Sequence, residues 1–183
     1  MKQNIIGIVG VIIAFISLAL PWWWARGPSV FGTSYTYVSI YPYQATVSDA
    51  GTAVTGQLDI WYGWAAFALI VVGGLLGIAG CLIQGARRIL SVGGVLALLS
   101  IIVFAAGLQN ELSNKLVLPW WSTVGLFSSG TYLGFNYTTY LSFGFWLALV
   151  GAIIMLAASL RKPQSVSVAP PTPAPVSPTP TPA

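Results

Sequence analysis

Leu18-Ala19-Leu20-Pro21-Trp22-Trp23-Trp24-Ala25-Arg26-Gly27 closes the first long apolar run of the chain, and Leu116-Val117-Leu118-Pro119-Trp120-Trp121-Ser122-Thr123-Val124-Gly125 closes the third. Proline lacks the N–H that a helix needs to continue, and indole rings favour the headgroup level, where ring and N–H are both satisfied. A Leu-Pro-Trp-Trp step therefore reads as an exit from a bilayer. The plainer account of its recurrence is that Pro and Trp gather at membrane exits in general.

Composition agrees with a bilayer setting. Only 5% of the 183 residues are charged and 56% are hydrophobic, against about a quarter charged in ordinary soluble domains. The runs Ile5 to Leu20, Ala65 to Ile83, Ile89 to Leu108 and Leu141 to Leu160 contain no formal charge. About 20 helical residues cross a hydrocarbon core of roughly 30 Å, so the pattern predicts transmembrane helices at about 5–24, 62–83, 89–116 and 141–160. A secretory signal is the rival reading of the first run, since Lys2 precedes it and Ser17-Leu18-Ala19 resembles a small-x-small cleavage site. Three bulky tryptophans just beyond that point argue against it.

With four spans the two ends share a side. That side holds Lys2, Arg87, Arg88, Arg161 and Lys162, against Arg26 and Lys115 opposite, so the termini and the short middle turn are expected in the cytoplasm. Of the three acids, Asp49 and Asp59 fall in the first outer loop, about 25–61, and Glu111 lies shortly before the second, about 117–140. A cell membrane is the expected location, and a viral envelope is equally compatible.

Aligning Pro21 with Pro119 sets Gly32-Thr33 against Gly130-Thr131, and each loop re-enters through an aromatic-Gly-aromatic step, Tyr62-Gly63-Trp64 and Phe143-Gly144-Phe145. The chain thus reads as two tandem helix-loop-helix repeats about an axis along the membrane normal. Tyr, Thr, Val and Ile at positions 30–41, and a similar stretch at 127–140 around Ser128-Ser129-Gly130, predict short strands. The expected fold class is an all-α membrane protein, a four-transmembrane-helix bundle with a small extracellular β-sheet formed by the two outer loops. Leu108, Leu112 and Leu116 at helical spacing, with Glu111 four residues before Lys115, predict a third helix that outruns the bilayer.

Trp22, Trp23, Trp24, Trp61, Trp64, Trp120, Trp121 and Trp146 are expected as membrane-interface anchors. Gly73 and Gly77, and Gly144, Ala148 and Ala152 at intervals of four, predict close helix packing. Gly73-Gly74-Leu75-Leu76-Gly77 could also unwind into a transport site, but no Asp, Glu, Lys, Arg or His lies within the four apolar runs to serve as a proton or ion station.

These residues together resemble the claudin-like superfamily: four helices with both ends inside, Leu20-Pro21-Trp22 closing the first, a longer strand-rich first outer loop, a protruding third helix and a shorter second loop. The resemblance implies an outer sheet used for lateral or face-to-face assembly. Members of that superfamily carry Gly-Leu-Trp and two cysteines in the first loop; here Trp61-Tyr62-Gly63-Trp64 is a partial echo and the loop has no cysteine.

The chain has no histidine, which removes imidazole acid–base chemistry and His-ligated metal or haem. Its single cysteine, Cys81, falls inside a span without an activating base, and Asp49 and Asp59 read as solvated loop acids. No enzymatic activity, cofactor or metal is expected. Seven scattered cations could not track a phosphate backbone, which excludes nucleic acid as a partner. The tail 163–183 holds eight prolines among 21 residues and no charge, so a disordered, extended cytoplasmic spacer is expected, adaptor binding being the alternative; an inverted topology would make it a glycosylated stalk. Asn136-Tyr137-Thr138 is a possible glycosylation site. The expected partners are the lipid bilayer and either a second copy or another membrane or surface protein. The expected role is structural, through aromatic outer loops and small-residue helix faces; a passive pore or an accessory subunit of a larger transport or respiratory complex is the alternative.

Overall fold

The computed structural model describes residues 4–29, 34–49, 52–56, 60–83, 86–114, 125–132 and 134–160. Helix α1 (Ile5–Leu18) is followed by strands β1 (Trp23–Pro28), β2 (Tyr35–Ile40), β3 (Ala45–Asp49) and β4 (Thr52–Gly56). Then come α2 (Trp61–Leu82), α3 (Arg87–Asn114), β5 (Ser128–Tyr132), β6 (Phe135–Leu141) and α4 (Phe143–Leu160). Three of the four helices are long and apolar enough to cross a membrane, and α1 is shorter. At 1.5 Å per residue, the 14 residues of α1 extend about 21 Å and the 28 of α3 about 42 Å.

The helices form a ring in which α1 touches α4 and α2, and α3 touches α2 and α4. Small residues bring the backbones close. A Cβ on Gly10 of α1 would lie 2.9 Å from the Gly151 carbonyl oxygen of α4, and one on Gly73 of α2 would lie 2.7 Å from that of Gly93 on α3. The interior is filled by Val11, Ala14, Ile70, Ala97, Ala148, Ala152 and Met155, all buried. The outward faces are as apolar as the interior: Ile5, Val9, Ile12 and Ile16 on α1, Val72 and Leu75 on α2, Val95 and Ile102 on α3, Val150 and Ile153 on α4. Water would penalise such a surface; hydrocarbon does not.

At one end of α1 and α4, Asn4 ties the two together. Its side-chain oxygen accepts from the Gly7 N–H at 3.3 Å as an N-cap, and its amide donates to the Ala158 carbonyl at 3.1 Å. At the other end of the bundle the strands form one antiparallel sheet in the order β4-β3-β2-β1-β6-β5. The first outer segment supplies four strands and the second supplies two. They meet where β1 pairs with β6, Trp23 opposite Leu141 and Arg26 opposite Thr138.

The first helix ends earlier than the sequence predicts, at Leu18 and not near residue 24. Pro21 disfavours helical backbone at the residue before it, and Trp22 then enters the sheet. Its N–H donates to the Ile40 carbonyl and its carbonyl accepts from the Ser142 N–H, both at 2.8 Å. The second helix, predicted at 62–83, runs 61–82; the third starts at 87 and not 89, its predicted end at 116 lying outside the described residues; the fourth, predicted at 141–160, runs 143–160, Leu141 belonging to β6. The second Leu-Pro-Trp-Trp, with Trp120 and Trp121, and the tail from 161 onward lie outside the described residues.

Candidate interaction surface on the sheet

Alternation along β1 divides its side chains between two faces. Trp23 and Ala25 point with Val38, Ile40, Ala45, Tyr137 and Leu141 into the core shared with the helix ends. Beneath that face an aromatic cluster draws one ring from each helical segment: Trp22 after α1, Tyr62 on α2, Phe104 on α3 and Phe145 on α4, all buried. Trp22 meets Phe104 edge-on at 5.0 Å and Phe145 at 6.1 Å, and Tyr62 meets Phe104 at 5.9 Å. The Trp22 indole N–H donates at 3.0 Å to the Ser17 carbonyl at the end of α1, an oxygen that also accepts from the Leu20 N–H at 3.3 Å.

Trp22 and Trp23 are thus core residues, each 0% exposed, where the sequence suggests interface anchors. A helix end next to a sheet offers an indole the same mixture of apolar wall and carbonyl partner that an interface would, which is why composition alone misplaces them. Trp61 and Trp64 in the first turn of α2 are 64% and 52% exposed, and Trp146 in the first turn of α4 is 47% exposed. The Trp146 N–H donates to the Leu141 carbonyl at 3.2 Å.

Among the residues expected to pack helices, Gly73 faces α3, Gly77 faces Val11 and Met155, and Ala148 and Ala152 are buried. Gly144 departs from that expectation. A Cβ there would meet the carbonyls of Leu20 and Pro21 and the Trp22 ring, so it admits the exit strand and not another helix. Gly63, its counterpart in the re-entry step of α2, likewise sits against the Pro42 carbonyl.

The other face of the sheet turns away from the helices. Trp24 lies beside Tyr140 of β6, ring centroids 5.1 Å apart, and beside Tyr37 of β2 at 5.9 Å. Arg26, opposite Tyr37 and Thr138 in the register, holds its guanidinium carbon 3.9 Å from the Tyr35 ring centroid and 5.6 Å from that of Tyr37. The result is a strip, Tyr140-Trp24-Tyr37-Arg26-Tyr35, running across three strands. Hydroxyls and amides border it: Ser39, Thr46, Thr138 and Asn136, whose side-chain oxygen accepts from Thr131 at 3.1 Å. Asn136 and Thr138 are both exposed.

The sequence signal for this strip is the period-two spacing of Trp24 and Arg26, and of Tyr35 and Tyr37. Arg26 escapes notice in one dimension because its importance comes from pairing. Cys81 is buried within α2, and among the described residues no three His, Cys, Asp or Glu side chains come together as a metal site. No family model and no curated protein matches the chain.

Proposed function

We propose that the chain is a four-span integral membrane protein with both termini cytoplasmic and the sheet outside, and that it is a non-enzymatic assembly protein associating through the outward face of that sheet. The observation that carries this reading is the Tyr140-Trp24-Tyr37-Arg26-Tyr35 strip. Trp, Tyr and Arg are the residues that dominate association energies, and here they lie side by side on a hydroxyl-bordered face directed away from the bundle.

Membership of α1 in the membrane is supported by its outward Ile5, Val9, Ile12 and Ile16, which water would not tolerate as one stripe. The sheet that joins both outer segments and the ring of four helices support kinship with the claudin-like layout, and the neighbour pattern of the helices is compatible with a tandem repeat. The bundle interior is filled mainly by apolar side chains such as Val11, Ile70 and Met155, which supports a packed bundle in preference to a pore within one chain.

Gentle purification from the native membrane with mass measurement of the intact particle tests the association: an assembly larger than one chain is expected, and a lone chain refutes it. Reporter fusions after Arg88 and after Ala183 should both report cytoplasm, and an external signal from either refutes the orientation.

A further inference from the structure

Arg26 is placed unusually for a surface cation. Two tyrosine rings from the neighbouring strand hold its guanidinium, its Nε is fully enclosed without a hydrogen-bond partner, and it forms no ion pair among the described residues. An arginine side chain loses rotamer freedom on being fixed, which the two cation–π contacts offset only in part. The described residues of this face carry no acid to complete the balance.

We propose that this face docks a separate protein that presents an Asp or Glu carboxylate to Arg26, received end-on by Nη1 and Nη2 because Nε is enclosed. The proposal rests on the association reading above and names the chemistry of its partner. The fork of a fixed guanidinium matches a carboxylate bidentately, and the surroundings, Tyr and Trp with Ser, Thr and Asn, have the composition of surfaces that recognise proteins. Two copies meeting face to face would set Arg26 against a surface without a described acid. An anionic lipid surface is held by clusters of four to eight cations, and this face has one among its described residues.

The test uses the full chain in zwitterionic phosphatidylcholine nanodiscs. The probes are two dye-labelled, Tyr- and Ser-rich heptapeptides that differ only in a central Glu or Gln, read by fluorescence anisotropy. The Glu peptide is expected to bind about tenfold more tightly at low salt. Arg26→Gln should erase that preference while leaving the Gln peptide unchanged, and Arg26→Lys should keep no more than about a third of it, having charge without the planar fork.

Equal affinity of the two peptides, no binding of the Glu peptide, or a preference that survives Arg26→Gln overturns the proposal. So does a preference fully kept by Arg26→Lys. Arg26-dependent pelleting with phosphatidylserine vesicles would assign the cation to lipid, and a dimer of intact mass lost in Arg26→Gln would assign it to a second copy; either result also overturns it. An assembly of intact mass that persists in Arg26→Gln while Tyr37→Ala dissolves it leaves the association reading standing and removes the carboxylate.

Discussion

Truncating Trp22 to Ala separates a core indole from an interfacial one. In the fold its ring is fully buried, its edge contacts reach Phe104 and Phe145, and its N–H caps Ser17 at 3.0 Å. Replacing a buried aromatic by Ala costs about 3–5 kcal/mol, a shift of roughly two to three and a half decades in the folded-to-unfolded ratio. Trp22→Phe keeps most of the ring but removes the donor to Ser17, for a cost of about 1–2 kcal/mol. Trp61→Ala removes a side chain that is mostly exposed and should stay within about 1 kcal/mol. Reversible unfolding in bicelles, followed by steric trapping, measures all three on one scale. If Trp61→Ala proves as costly as Trp22→Ala, the assignment of Trp22 to the core is wrong.

Brominated lipids should quench Trp61, Trp64 and Trp146. Changing each to Phe should remove part of the quenching, and Trp22→Phe should leave it unchanged, a pattern that fluorescence in reconstituted vesicles checks directly. Gly10→Val and Gly151→Val should each push α1 from α4, because a Cβ at either site already lies within 2.9 Å of backbone oxygen or nitrogen across the interface. Each should cost about 1–3 kcal/mol as an overpacking change, with the double variant costing less than the sum because both force the same seam apart; thermal unfolding in detergent measures this. Asn4→Ala removes a cap and a link to Ala158 and should cost about 1–2 kcal/mol in the same assay.

The apolar runs announce the helices directly because lipid exposure and interior packing both call for the same residue types over about 20 positions. Strand-forming composition announces the outer sheet for a similar reason: Tyr35 to Ile40 and Phe135 to Leu141 alternate in register with one buried face. Pairings are another matter. Trp24 meets Tyr37 within one hairpin but meets Tyr140 across more than a hundred residues, and Gly10 meets Gly151 across more still. No local pattern encodes such a partner. The tryptophans after Pro21 were ambiguous for a physical reason, since belt and core both reward an indole near free carbonyls.

Where the small residues lie constrains how this protein can associate. Gly73, Gly77, Gly93, Gly151, Ala148 and Ala152 are all covered by neighbouring helices of the same chain. The outward stripes that remain are Ile, Val and Leu, with no exposed small-xxx-small pair among the described helix residues. Association of bundles within the bilayer lacks a close-approach seam under those conditions, because lipid tails solvate Ile and Leu as well as another helix would. The sheet is different. In the arrangement proposed above its outward face meets water, where burying Trp24, Tyr37 and Tyr140 removes aromatic area from solvent at about 25 cal/mol per Å², a gain that hydrocarbon cannot offer. The proposed association, read as intact mass after gentle purification, should therefore be lost on changing Tyr37 and Tyr140 together to Ser, and should tolerate Val95→Ala and Ile153→Ala on the outward helix faces.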